Sequence, residues 1–398
     1  MKMSLYIHFP FCRSKCVYCD FCSFAASDAK VLQYIDQLNT EIMLAAAQWP
    51  GAEIETVYFG GGTPSIVPAR LMEKVLNQLH KHFRIPAGIE FTSEANPGTV
   101  TGDWLQAMAE AGMNRLSLGM QAKQDRLLKE LGRIHSFSQV RDTLALARRH
   151  GVGNLSLDMM YGLPSQTIAD YLESIYAAAK LGVQHISAYG LKVEEGTRLQ
   201  AMLASGERTL PDDDETADMM DRGIEALESL GFQRYEISNF ARPGFASRHN
   251  LVYWQQQYYL GLGLNAASML PAEGAAYMRR TNTASGREYK RLLEENRLPV
   301  AECIPIDRDE AMFETVMLGL RTTAGIGYAE FESMHGQKLD TVYGEAIKAL
   351  ETGGLLRPVD PETPRLVLND RGLALQNTAL MPFLKDNDRI SPEKLHKN

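Results

Sequence analysis

The chain has 398 residues, 45% of them hydrophobic and 23% charged, a composition that excludes fibrous and disordered classes and supports a sizeable core. Its 41 basic and 49 acidic side chains leave a net charge of -8, which argues against a general binder of nucleic acid or of anionic membranes. No run approaches the roughly 18 consecutive apolar residues of a spanning helix, and Met1 to Ser4 leads directly into a strand-like run instead of a signal segment, so a cytoplasmic protein is expected.

Short β-rich runs recur between helical stretches: Leu5 to His8, Thr56 to Gly60, Ile89 to Glu94, Arg115 to Gly119, Leu155 to Asp158 and His185 to Tyr189. The segments between them carry helical spacing, as in Leu71, Val75, Leu79 and Phe83, or in Leu144, Ala147 and Arg148 before the stop signal Gly151. Strand and helix therefore alternate, which predicts an α/β fold with a parallel sheet and crossover helices. Six units suit an open, partial (β/α)6 barrel, and counting alone leaves a doubly wound sheet in play. Polar residues at the C-terminal ends of the strands, Gly60 to Thr63, Glu94, Gln121 and Asp158, favour the barrel, where that rim collects the chemistry.

After about residue 200 the pattern changes. Pro211 to Asp214 reads as a loop with an N-cap before a helix through Met220, Ile224, Leu227 and Leu230 that stops at Gly231; Phe232 to Phe240 reads as one strand, and Ala241 to Met269 has no clear period. From about residue 305 a helix marked by Met312, Phe313, Val316 and Leu320, a second over Leu339 to Glu351, and two short strands flanking Asp360 to Pro364 predict a small winged-helix-like unit. Residues 301 to 398 hold 16 acidic and 11 basic side chains, so packing or partner docking is expected of it and not DNA reading. The expected organisation is a barrel over 1-200, a connecting α+β region over 201-300 and the winged-helix-like domain over 301-398.

Four of the five cysteines, Cys12, Cys16, Cys19 and Cys22, fall within eleven residues, and Cys303 stands apart as an expected buried small hydrophobe. In a reducing compartment such a cluster points to a metal or cluster centre before a disulfide. The spacing Cys12-x3-Cys16-x2-Cys19 is too tight for helix or strand periodicity and belongs on a loop. Three thiolates on a four-iron cluster leave one iron open to a small molecule, whereas a structural zinc site closes with four ligands, which Cys22 is available to complete. Spacing leaves both arrangements open.

A cysteine loop of this form after a strand resembles the radical S-adenosylmethionine (SAM) superfamily. Tyr6 to Cys12, the Gly60-Gly61-Gly62-Thr63-Pro64 run, Ser117 to Gln121 and Asp158 to Pro164 are similar, in order and spacing, to its HemN/HemW branch. The resemblance covers nearly the whole chain. It implies a [4Fe-4S] cluster on Cys12, Cys16 and Cys19 and SAM bound at the open iron, cleaved to methionine and a 5'-deoxyadenosyl radical on reduction by a donor such as flavodoxin or ferredoxin. It further implies that Gly61 and Gly62 bring backbone N–H groups to the amino-acid part of SAM beside Thr63, that Glu94, Gln121, Arg133 and Asp158 contact one of two SAM molecules, and that Tyr6 and Tyr18 pack against SAM and the cluster. His8 is expected as either a core or a site residue.

Two activities share these motifs. The dehydrogenases of the branch decarboxylate two propionates of coproporphyrinogen III and carry an additional segment before the first strand, where here five residues precede Tyr6. His249-Asn250-Leu251-Val252-Tyr253-Trp254 resembles instead the His-Asn-x-x-Tyr-Trp signature of the heme chaperones in this branch, with His249 as the expected heme ligand. The resemblance therefore implies binding of heme and its delivery to an acceptor protein, with a respiratory acceptor as the narrower expectation and coproporphyrinogen oxidation as the alternative. Two departures stand beside it: Cys22 is a fourth cysteine, of the kind that gives the dehydrogenases their typical Cys-x-Cys ending, and Gly261 to Ser268 lacks the histidine usual in the branch.

Overall fold

In the computed structural model, residues 1–384 are described. The chain opens with β1 (Lys2–Phe9), α1 (Asp28–Gln48), β2 (Glu53–Gly61), α2 (Ala69–His82), β3 (Glu90–Ala95), α3 (Gly102–Glu110), β4 (Arg115–Gln121), α4 (Asp125–Glu130), α5 (Phe137–Arg149), β5 (Asn154–Tyr161), α6 (Ile168–Lys180) and β6 (His185–Gly190). All six expected strands are present, and they lie parallel in sheet order one to six. A doubly wound sheet reverses its order at a switch point; this one does not, so right-handed crossovers place every connecting helix on one face. The result is a partial barrel with its helices outside.

Strand residues alternate between two environments. Leu5, Ile7 and Phe9, Val57 and Phe59, Leu116 and Leu118, and Leu155 and Leu157 pack with Ile35, Leu38, Met72, Val75, Leu105, Met108, Leu144 and Ile175 of the helices in one hydrophobic core. The intervening positions are polar on strand after strand: Ser4, Tyr6 and His8; Thr56 and Tyr58; Thr92 and Glu94; Arg115 and Ser117; Ser156 and Asp158; His185 and Ser187. Barrels whose interior is filled by branched apolar side chains have a dry centre. Here the apolar core sits between sheet and helices, and the concave side of the sheet is left to polar groups.

Beyond β6 come α7 (Arg198–Ala204) and α8 (Asp213–Ser229), the latter opened by the Asp212 and Glu215 capping box. The expected strand over Phe232 to Phe240 is instead two short strands, β7 (Gln233–Arg234) and β8 (Asn239–Ala241), because the Arg234 guanidinium turns the chain by donating to the carbonyls of Glu236 and Ile237. β8 joins β6 antiparallel. The region without a clear period holds α9 (Arg248–Trp254) and β9 (Tyr259–Leu262), and β9 runs parallel to β1 on the other edge of the barrel. β10 (Ala267–Leu270), β11 (Tyr277–Asn282), α10 (Gly286–Glu294) and β12 (Val300–Ile306) continue it as an antiparallel meander, giving one twelve-stranded sheet among the described residues. Cys303 lies on β12 at the sheet edge and is exposed; the expectation of a buried cysteine is corrected, because an edge strand with one open face does not cover it.

The last unit comprises α11 (Arg308–Gly319), β13 (Ile326–Gly327), α12 (Tyr328–His335), α13 (Leu339–Thr352) and β14 (Arg365–Leu366) around its own core of Met312, Val316, Phe331, Leu339, Ile347, Leu366 and Phe383. Helix, strand, helix, helix and strand follow in the order of a winged helix. The first strand of the expected hairpin is reduced to a single bridge between Leu356 and Leu368, since Asp360 closes a local turn on Glu362 N and Thr363 Oγ1.

Candidate functional site at the barrel rim

A cavity of about 380 Å³ opens at the C-terminal ends of the strands and runs into the barrel. Cys12, Cys16, Cys19, Tyr18, Gly61, Gly62, Thr63, Glu94, Gln121, Arg133 and Asp158 all line it, and of the expected site residues only Tyr6 and His249 do not.

The cysteines are carried by the loop between β1 and α1, as tight spacing requires. Its ends are tied by Cys12 N to Phe24 O at 3.1 Å and Phe24 N to Pro10 O at 2.9 Å, and its middle by Val17 N to Leu131 O at 3.1 Å. The Cys12 thiol lies 3.6 Å from Thr63 Oγ1, which accepts from Asn96 Nδ2 at 2.8 Å. Arg133 completes the path: one Nη donates to Asn96 Oδ1 at 2.5 Å and to Gly119 O at 2.8 Å, and the other to Cys16 Sγ at 3.4 Å. Burial works against the Arg133 charge, yet the phenol of Tyr18 and the thiol of Cys16 outweigh it and hold its pKa above the usual value. Burial pushes the Tyr18 phenol up and the Cys19 thiol likewise, so Cys19 gains from a cation or metal that would take the thiolate.

Among the described residues no three His, Cys, Asp or Glu side chains converge as around one ion. Cys22 does not line the cavity; it packs against the hydrophobic core. Its carbonyl accepts from His8 Nε2 at 2.9 Å, so His8 Nδ1 accepts from the Tyr6 hydroxyl at 3.0 Å. Three partly exposed thiols facing one cavity, with a guanidinium donating to one of them, suit a four-iron cluster, in which each thiolate takes a different iron, and do not suit a closed four-thiolate zinc site.

The glycines are required by close approach. A Cβ on Gly61, whose φ is +102°, would meet the His8 ring at 2.2 Å, and one on Gly62 would meet Phe11 O at 2.6 Å. Their N–H groups do not face the cavity as free donors, which corrects the expectation: Gly61 N donates to Glu94 Oε2 at 3.1 Å, Gly62 N to Phe9 O at 2.8 Å and Thr63 N to Phe11 O at 2.7 Å. The Glu94 carboxyl uses the first, and backbone pairing with the end of β1 and the start of the cysteine loop uses the other two. What the run supplies is a seam that lets the loop lie directly on the strand end.

Below the rim, Glu94 accepts from Tyr58 OH at 2.8 Å, and Asp158 from Ser117 Oγ at 3.1 Å. Burial, with Asp158 adding to it, raises Glu94 to about 7; burial also raises Asp158, against hydrogen bonds from Ser187 and Ser117. Two such carboxyls favour a ligand that brings hydroxyls or positive charge. Gln121 closes β4 in a left-handed conformation, φ +63°.

Tyr6 stacks on Tyr58 with centroids 6.2 Å apart, behind the cavity wall. His249 is 1% exposed. The Thr56 hydroxyl donates to Ser4 Oγ at 2.8 Å, so it accepts from His249 Nδ1 at 2.7 Å, and Nε2 accepts from Tyr253 OH at 2.9 Å. The ring stacks on Tyr58 at 4.9 Å, and burial lowers its pKa to about 3. The expected heme ligand is thus corrected: neither nitrogen is free for an iron, because α9 plugs the barrel floor, its first N–H groups taken up by the Glu90 carboxylate from Arg248 N at 2.8 Å and His249 N at 2.9 Å.

Sequence reasoning missed Asn96, Tyr58, Arg115 and Asn250, which also line the cavity. Period-two alternation back from Gly60 and Gly119 points to Tyr58 and Arg115; Asn96 and Asn250 carry no periodic signal.

Residues 6–177 match the family model described as the radical SAM superfamily, and residues 306–375 that of the HemN C-terminal domain. The chain is 33% identical over 382 residues to the heme chaperone HemW of Bacillus subtilis (strain 168), covering 96% of this chain and 99% of that one. It is 33% identical to the heme chaperone HemW of Escherichia coli (strain K12), over 96% and 98% of the two chains, and 37% identical to that of Synechocystis sp., over 84% and 82%. Among solved structures, the coproporphyrinogen III oxidase HemN from Escherichia coli, a radical SAM enzyme, superposes with a TM-score of 0.82 over 96% of this chain and 89% of that one, at 23% identity. At that identity the likeness speaks for the fold.

Proposed function

This chain belongs to the HemW family within the radical SAM superfamily, and from that premise we propose that it is a heme chaperone, binding heme and passing it to an acceptor protein. The observation that carries the reading is the full-length similarity to heme chaperones, 33% over 99% of the Bacillus subtilis protein, against 23% to the oxidase of the same fold.

In this reading Cys12, Cys16 and Cys19 hold a [4Fe-4S] cluster, and SAM sits in the cavity beside it. The pair, when bound, supplies one-electron reduction of a sulfonium. The chain's own residues do the rest. Arg133 donates to the Cys16 thiolate and keeps Asn96 and Thr63 in line beneath the loop. Glu94 and Asp158 offer acceptors to ribose hydroxyls or an ammonium, and Gln121 borders the same space. Arg13 and Lys15, on the cysteine loop, suit an acidic electron donor of the flavodoxin or ferredoxin kind. No helix among the described residues is long and apolar enough to cross a membrane.

Anaerobic reconstitution followed by parallel titration tests the reading. About one heme per chain, transferred to an apo heme protein, and no protoporphyrinogen from coproporphyrinogen III with SAM and reductant, are expected; turnover of coproporphyrinogen without heme binding would replace the chaperone by the oxidase.

A further inference from the structure

Arg115 opens β4 on the polar side of the barrel, is 2% exposed and lines the inner end of the cavity. Its Nε has no hydrogen-bond partner, and among the described residues it makes no ion pair. Directly across the ladder, Thr92 is its register partner on β3, is fully buried, and has an unpartnered Oγ1. Polar groups this deep are nearly always paired, and a guanidinium most of all.

The surrounding groups do not fill the gap. His185 is engaged at both nitrogens, by Ser156 Oγ and Tyr235 OH at 2.8 Å each, and His249 by Thr56 and Tyr253. Glu94 and Asp158 feel the Arg115 charge, but their hydrogen bonds come from Tyr58, Gly61, Ser117 and Ser187. The Glu90 carboxylate is occupied by the start of α9. Asn250 lines the same cavity from α9.

We propose that Arg115, with Asn250, forms a carboxylate subsite at the floor of the barrel. A carboxylate there accepts from the planar fork of the guanidinium and from the Asn250 amide, both of which line the cavity. Arg115 lies four residues before Gly119, whose carbonyl Arg133 contacts, and at about 3.3 Å per strand residue its backbone lies roughly 13 Å deeper along β4, so its guanidinium serves a carboxylate at the inner end of the cavity, from an amino-acid zwitterion or from a tetrapyrrole propionate. The subsite uses the cavity of the proposed function without depending on chaperone activity.

Two ligand pairs separate the sources: L-methionine against methioninamide by calorimetry, and heme against heme dimethyl ester by absorbance, each with full-length reconstituted protein. In one pair the wild type should prefer the free acid by tenfold or more. Arg115→Met should erase that preference while leaving the amide or ester affinity unchanged, and Arg115→Lys should restore part of it. Wild-type preference retained by Arg115→Met in both pairs overturns the subsite and leaves buried water as the partner of Arg115. Where Arg115→Met does not fold, Asn250→Ala keeps the cation and removes the other polar group at that end of the cavity, and a threefold or larger loss of acid affinity is expected; no acid preference in the wild type overturns the proposal without any variant. Failure of heme binding alone counts against the chaperone reading, and the methionine pair still decides the subsite.

Discussion

The guanidinium of Arg133 reaches the Sγ of Cys16 at 3.4 Å while donating to Asn96 and Gly119. One side chain from the segment after α4 therefore ties the cysteine loop to the ends of β3 and β4. Hydrogen bonds to cluster sulfurs are among the means by which a protein sets reduction potential.

Arg133→Met is expected to leave Asn96 Oδ1 and Gly119 O without their donor and to cost about 3 kcal/mol of stability, read from urea unfolding. Reconstituted protein should also show a more negative cluster potential, since a positive charge and an N–H to sulfur are both lost. Arg133→Lys keeps the charge without the fork and should restore less than half of the stability. An unchanged potential in the methionine variant would remove the assigned role.

Glu94 supplies a pH test. Its folded pKa, about 7, lies above the ordinary carboxyl value of 4.5, first through burial and further through Asp158. Between those two values the folded state binds more protons than the unfolded one, so this group's contribution is fully present below about pH 4.5 and is lost as pH rises through about 7. The loss is on the order of 3 kcal/mol. Glu94→Gln removes the term, so the stability of the wild type should fall relative to the variant between pH 5 and 7.5. Parallel curves would show that Glu94 titrates normally.

The six strands and their helices were legible because period-two and period-3.6 patterns are local, and the polar inner positions, Ser117 and Asp158 among them, follow from the same alternation. β9 was not. Gly261 lies where a Cβ would fall 1.9 Å from Ala267 O, so a tight β9 to β10 reversal replaces side-chain pattern by backbone approach. The cysteine loop and the strand-end glycines named the site, and eleven of its residues followed by resemblance, but Asn96 owes its place to Thr63 and Arg133, which are 33 and 37 residues away. For His249 the deciding partner, Thr56, is 193 residues distant. A motif identifies such a histidine without showing which way its nitrogens face.

His249→Ala separates the two readings of that residue. The geometry makes it a brace, so the variant should lose about 3 kcal/mol through the unpaired Tyr253 hydroxyl and the space left beneath Tyr58. Heme affinity should stay within about twofold of wild type. A tenfold or greater loss in folded protein, with the iron-sulfur absorption intact, would restore the axial-ligand role.

Cys22 decides between three ligands and four. Its side chain packs against the core, and the strand-side contacts of its loop run through its carbonyl to His8, whereas Cys19 faces the cavity with Cys12 and Cys16. Cys22→Ser should retain about four irons and four sulfides per chain after anaerobic reconstitution, with at most about 1 kcal/mol lost from replacing a partly buried thiol. Cys19→Ser should lose most of the iron, because beyond Cys12 and Cys16 no described cysteine lines the cavity to replace it. Equal loss of iron in both variants would place Cys22 on the metal and return the closed four-thiolate site to consideration.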